Sequence, residues 1–399
     1  GGQPSAGGQP GAGGQPGAGG AGPCVLSVSA TRVGEGMVTR ADAVEVQFSA
    51  DAPDATFEFE GPLGGHFTPR ADHVFWAAGG GPEDADGVDW PWWTGPVELT
   101  VRATTPGGCA GEARVSVTLA GDVVIGDSLR GGMLSYGSDG RYLGRFAQVL
   151  DARGLGGLHV LPRDADGGGF VVAFGNYGAS EGGVMRLDRD GGNGVAFETD
   201  DLAGQPLWSR GTGPRHVLYV PSTGEVLADN AEHEKVYRFN LRGEYLGAIT
   251  VPRSSDTGFS TIGFALVDGR PVAGSPIGNR LYYIDTVPPE PFLVGAGDGF
   301  DHLIGLANGA TADRLVVLTN HPGSGWRVYV YDTRLRMSGP AITGYEMLHL
   351  VPFMDGYLGI NLNGITHFGP DLAEAAPGET WDARANTDIG QRGGIAWLN

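Results

Sequence analysis

The chain has 399 residues, a formal net charge of −20 and one lysine, Lys235, among 26 basic residues. A surface this acidic repels phosphate backbones and anionic headgroups, which excludes nucleic acid as a partner. No run of 18 apolar residues occurs, so the sequence predicts no transmembrane helix.

Residues 1–22, GGQPSAGGQPGAGGQPGAGGAG, repeat a GGQPxA hexapeptide with no apolar side chain larger than Ala or Pro. Such a stretch cannot bury a core and is expected to be a disordered low-complexity tether. It resembles the tether that follows the lipidated cysteine of bacterial surface lipoproteins. That resemblance implies a lipid anchor upstream of residue 1 and a place at the outer surface or in the periplasm. The start at Gly1 rather than Met adds the expectation that a segment has been removed, either an export signal or an expression leader.

Residues 23–120 carry the alternating runs CVLSVSA, AVEVQFSA, ATFEFEG, HVFWAA, GPVELTVRATTP and ARVSVTLAG. Alternation in VEVQF, TFEFE and RVSVTL gives each strand one buried and one wet face. Six or seven such strands within about 100 residues resemble an immunoglobulin-like or PKD-like module of bacterial surface proteins. Cys24 and Cys109 bracket it, with Cys24 expected in the first strand. If they pair, the bond closes a long loop worth about 4 kcal/mol and places the protein in an oxidising, exported compartment. Two buried free thiols are the alternative. The loop PEDADGVDWPWWTG groups Trp90, Trp92 and Trp93 beside Glu83, Asp84, Asp86 and Asp89. It forms either an aromatic platform for a sugar or a cation, or a packed loop, and packing is the expectation.

Residues 121–399 repeat one unit. Four short runs in 213–250 (HVLYV, EVLAD, KVYRF, YLGAI) are separated by turn formers and read as an antiparallel meander. The third strand and its turn recur six times, from Met133, Val184, Val236, Leu281, Val328 and Ile365, at spacings of 51, 52, 45, 47 and 37 residues. That period is close to the roughly 40–50 residues of propeller blades. Only one strand, DVVIGDS, precedes the first copy, and the missing innermost strand is GGIAWLN at the C-terminus. The fold class is therefore all-β: an immunoglobulin-like sandwich followed by a six-bladed β-propeller closed by its C-terminal strand, a closure that leaves no free sheet edge.

The innermost strands are expected at LHVLP, VLYVP, GFALV, IGLAN, LHLVP and IAWLN. Five are followed by hairpin turns. The second strands end in VIGDS, VAFGN, VLADN, VAGS, VVLTN and GINLN, which puts Asp127, Asn176, Asp229, Asn230, Asn320 and Asn361 at one rim of the axial channel. His321, in TNHPGSG, is added as a ligand-facing residue of an irregular loop. VLADNAEHEKVYRFNLRGEYLG and VVIGDSLRGGMLSYGSDGRYLGRF resemble NHL-type blades, and the resemblance implies the six-bladed group that includes NHL proteins and lactonase-like enzymes. For the latter it implies a divalent cation held by a Glu, an Asn and an Asp from separate blades. The rim residues supply oxygen ligands suited to Ca²⁺ or Mg²⁺ but no Glu at a second-strand end. The other reading is that they cap turns, so no metal and no cofactor is expected.

GDSL at 126–129 matches the nucleophile block of GDSL esterases, but no DxxH exists to supply the base, and the position repeats as ADN and AGS. GASEG at 178–182 lacks the strand–turn–helix setting of a nucleophile elbow. Nine histidines show no HxH or HExxH spacing; His159 and His349 fall at equivalent places in inner strands, with His302 near by, and are expected to be satisfied interior residues rather than a channel lining. The function expected from these residues is an extracellular or cell-surface binding or scaffold protein that engages a protein or glycan. The alternative is a metal-dependent lactonase-like hydrolase with its site in the channel.

Overall fold

The computed structural model describes residues 24–34, 38, 43–61, 66–77, 95–119, 121–127, 131–137, 140, 142–148, 155–162, 164–175, 182–189, 191–208, 213–230, 235–252, 263–275, 280–294, 303–309, 311–321, 325–332, 347–354, 356–361, 364–369, 372 and 395–397. Trp90, Trp92, Trp93, Asn176, Ser128, Ser180 and His302 lie outside them, as does the 1–22 stretch. No helix among the described residues is long and apolar enough to cross a membrane.

The N-terminal strands are β1 (Val28–Arg32), β2 (Ala43–Ala50), β3 (Thr56–Glu60), β4 (His66–Pro69), β5 (His73–Ala77), β6 (Gly95–Thr104) and β7 (Ala110–Leu119). They form a four-stranded sheet ordered β1-β2-β5-β4 and a three-stranded sheet ordered β3-β6-β7. The alternation seen in the sequence fills the space between them, where Val44, Val46, Trp76, Leu99, Val101, Val115 and Val117 bury against one another. The outward residues of β6 and β7 form ion pairs instead, Arg102 to Glu60 at 2.8 Å and Arg114 to Glu112 at 3.1 Å.

Cys24 and Cys109 form a disulfide with Cα atoms 4.6 Å apart. The expectation that Cys24 sits in the first strand is corrected, because β1 begins only at Val28. Val25 instead bridges Ala110 in parallel, with Leu26 N donating to Ala110 O at 3.0 Å. The bond therefore ties the entering chain to the start of the last sandwich strand.

Six further sheets follow. Blade one is β8 (Val123–Asp127), β9 (Gly132–Tyr136) and β10 (Tyr142–Gln148). Blade two is β11 (Leu158–Leu161), β12 (Gly169–Phe174), β13 (Gly183–Leu187) and β14 (Val195–Ala196). Blade three is β15 (Val217–Val220), β16 (Glu225–Asn230), β17 (Lys235–Asn240) and β18 (Tyr245–Thr250). Blade four is β19 (Phe264–Val267), β20 (Arg270–Ser275), β21 (Arg280–Tyr283) and β22 (Glu290–Val294). Blade five is β23 (Leu303–Asn308), β24 (Arg314–His321) and β25 (Gly325–Asp332), and blade six is β26 (Met347–Phe353), β27 (Gly356–Asn361) and β28 (Gly364–Phe368). The last strand, β29 (Ile395–Trp397), pairs with β8 through Ile395↔Ile125, Ala396↔Val124 and Trp397↔Val123, so the C-terminus supplies the innermost strand of blade one.

Six interblade cores make the ring continuous. Successive side chains of a strand point to opposite faces, so each blade feeds both neighbours. Val123 and Ile125 pack against Phe353, Leu358 and Ile360 of blade six, while Val124 and Met133 pack against Phe170 and Val172 of blade two. Blades two and three share a core around Val171, Tyr219 and Phe239, three and four one around Leu218 and Phe264, four and five one around Ala265 and Val317, and five and six one around Val316 and Tyr357. Burial on both faces explains why β8, β9 and β15 are buried along their whole length instead of alternating. Hairpin chemistry follows the sequence: Asp268 and Gly269, the two residues joining β19 to β20, both have positive φ (50° and 76°), as the favoured two-residue turn requires.

Candidate functional site

All six innermost strands converge on one recess of about 260 Å³ along the propeller axis. Its wall includes Gly157, Leu158 and His159 of blade two, His216 and Leu218 of blade three, Phe264 of blade four, Leu306 and Asn308 of blade five, His349 and Pro352 of blade six, and Ile395 of β29. Close approach of neighbouring strands is needed at this radius. A Cβ on Gly157 would lie 2.8 Å from His216 Cα and Val217 N, so glycine there lets blades two and three meet.

Three imidazoles from three blades define the polar character of the recess. The His216 and His349 rings have centroids 5.8 Å apart. Burial drives His159 down to about 4, and burial together with the adjacent His216 ring drives His349 down to about 3. Both are therefore neutral at physiological pH, and each offers one donor and one acceptor nitrogen. The expectation of satisfied interior histidines is corrected here: His159 and His349 line the channel, and no described residue hydrogen-bonds to either ring.

His216 is held differently. Asp229, 1% exposed at the end of β16, accepts the amide hydrogens of Arg215 (2.6 Å) and His216 (2.8 Å) on Oδ1, and its Oδ2 lies 3.3 Å from His216 Nδ1. A carboxylate only accepts, so in the neutral ring Nδ1 carries the proton and Nε2 is left as an acceptor. Nε2 points across the axis: a Cβ built on Gly305 of blade five would lie 3.9 Å from it. Asn308, at the end of β23, accepts Leu266 N–H on Oδ1 at 2.7 Å and links blade five to blade four beside the recess.

The rim residues expected from the sequence distribute as follows. Asn230, 3% exposed, donates through Nδ2 to Leu207 O (2.6 Å) and Tyr237 Oη (3.2 Å), while Tyr237 Oη–H donates to the same carbonyl at 2.6 Å. Trp208 Nε1 donates to Asp229 O at 3.3 Å. Asp229 and Asn230 thus fasten the end of β16 to the segment that enters blade three and to the start of the inner strand. Asp127 is fully buried as the last residue of β8. Asn320 and Asn361 fall at or next to the end of their second strands, β24 and β27. His321 is corrected: it is the last residue of β24, paired with Gly325, and not part of an irregular loop. Among the described residues no group of three His, Cys, Asp or Glu side chains is arranged to hold a metal ion.

His216 was missed as a site residue. Only His159 and His349 share a pattern, LHVLP and LHLVP, inside their inner strands; His216 stands one residue before β15, so no common step linked it to them and only the channel brings the three rings together.

No protein-family model matches the sequence, and no curated protein matches it. Among solved structures the chain is similar to one in a nidogen/laminin complex, at 11% identity and a TM-score of 0.47, over 70% of this chain and 98% of that one. It is also similar to a protein from Bacteroides fragilis NCTC 9343 provisionally assigned as a 6-phosphogluconolactonase (12% identity, TM-score 0.45, 70% and 98%) and to a protein from Lactobacillus plantarum (10%, 0.45, 70% and 99%).

Proposed function

We propose that this is an exported binding protein, organised as a tether over 1–22, a sandwich over 23–120 and an NHL-like propeller over 121–399. Its partner, a protein or glycan at the cell surface, engages the axial channel. The observation that carries this reading is the use made of Asp229. The carboxylate best placed to hold a divalent cation spends one oxygen on two backbone amides and the other on an imidazole, so it orients His216 toward the recess. A cation site needs several oxygens free to converge at about 2.3–2.6 Å, and Asn230 is likewise committed to Leu207 and Tyr237. The disulfide supports export, and a lipid-anchored tether would present the propeller away from the membrane.

Calorimetric titration with calcium, run beside a lactone-hydrolysis assay, tests this reading against the metal-dependent hydrolase. No micromolar heat and no turnover are expected. Micromolar calcium binding that disappears in Asp229→Asn, accompanied by turnover, would overturn the binding reading.

A further inference from the structure

We propose that the axial recess takes a single uncharged, hydroxylated ring, the chemistry of a monosaccharide or of the terminal sugar of a glycan. The proposal deepens the binding reading above and rests on it.

Size comes first. At about 260 Å³ the recess is smaller than the roughly 300–1,000 Å³ of sites for drug-sized ligands, so it suits one ring and not an oligomer. Charge comes second. Among the described residues that line it there is no Arg, Lys, Asp or Glu, and Asp229 reaches it through His216. Among these described residues a phosphate or carboxylate finds no fixed positive charge to compensate its desolvation, and a cation no fixed negative charge.

The polar groups are arranged around the wall. In the neutral His216 ring, whose tautomer Asp229 fixes, Nε2 is an acceptor for a ligand donor such as a hydroxyl. Asn308 commits its oxygen to Leu266 and keeps amide N–H donors for a ligand oxygen. His159 and His349, neutral and on two other blades, each accept or donate as the ligand requires. Hydroxyls placed around a ring meet such groups from several directions, whereas a phenol has one. Between these groups Phe264, Leu306, Val351 and Pro352 give apolar surface for the C–H faces of a sugar.

The test uses the full chain with free glucose, galactose, mannose and N-acetylglucosamine as probes, and phenol and glucose 6-phosphate as comparators, by calorimetry and ligand-observed NMR. At least one free sugar is expected to saturate the protein, to shift the imidazole ¹⁵N resonances of the unaltered chain, and to outcompete both comparators. His216→Asn keeps an N–H toward Asp229 and removes the Nε2 acceptor. It is expected to weaken sugar binding about fivefold to tenfold, the cost of one hydrogen bond, with the melting temperature unchanged, while His73→Asn in the sandwich leaves affinity unaltered. Preference for phenol or for the phosphate, unshifted imidazoles, or equal affinity in His216→Asn would overturn the proposal. Failure of every sugar without calcium binding or turnover sinks the sugar assignment alone. Micromolar calcium with lactone turnover sinks the binding reading beneath it.

Discussion

Replacing Ile395 by Ala probes ring closure at its weakest point. The strand that completes blade one is only three residues long, and Ile395, 2% exposed, carries its buried contact with Val123, Ile125, Phe353 and Ile360. Removing a buried isoleucine to the β-carbon costs about 2–5 kcal/mol, the transfer loss plus the cavity left behind. At roughly 2–4 °C per kcal/mol for a unit of this size, the melting temperature should fall by roughly 4–20 °C. Truncation before Ile395 removes the same contact and also strips β8 of its pairing partner along Val123–Ile125, exposing a strand edge. The truncated chain should melt lower than Ile395→Ala and elute partly as aggregate. The assays are differential scanning fluorimetry with urea unfolding, and size-exclusion chromatography for the truncation. A substituted chain that melts within about 2 °C of the parent, with a truncation that stays monomeric, would refute closure by the C-terminus.

The disulfide spans 85 residues, which the chain-entropy relation converts to about 4.5 kcal/mol. Thiol titration of the unfolded, unreduced chain should find no free thiol, and Cys24→Ala with Cys109→Ala should lower the sandwich's denaturant midpoint. Asp229→Ala removes the acceptor of two amides and an imidazole and should cost about 3 kcal/mol or more, whereas Asp229→Asn, which keeps one carbonyl oxygen for the amides, should cost clearly less; equal urea midpoints would contradict the capping role. Acid should destabilise the propeller through the channel histidines. The unfolded rings protonate near 6.5 but the folded ones only at about 4 (His159) and about 3 (His349), so between these values the unfolded state holds more protons and stability falls as pH drops below 6.5. The rings keep some access to solvent in the channel, which brings the combined effect to roughly 3 kcal/mol by pH 4. His159→Gln with His349→Gln should reduce the loss of urea midpoint between pH 7.5 and 4.5, and an unchanged pH dependence would count against their burial in the channel.

Repeat grammar and register were legible in the sequence because they are one-dimensional. The six recurrences from Met133 to Ile365, the lone strand before the first copy and the surplus strand at the end required six sheets and a C-terminal closure, and Ile395–Trp397 pair with β8 inside the range expected. Alternation in β2, β3 and β7 similarly fixed which face of the sandwich is buried, since a period of two leaves no other choice. The site was less legible. Asp and Asn at strand ends have the same local pattern whether they bind an ion or cap a turn, and only the fold places Asp229 Oδ1 against the amides of Arg215 and His216, 14 and 13 residues earlier in the chain. His159, His216 and His349 are separated by 57 and 133 positions, so no spacing rule links them. They meet because the innermost strands of a closed ring all approach one axis, and convergence of that kind is a property of the ring, not of any of its repeats.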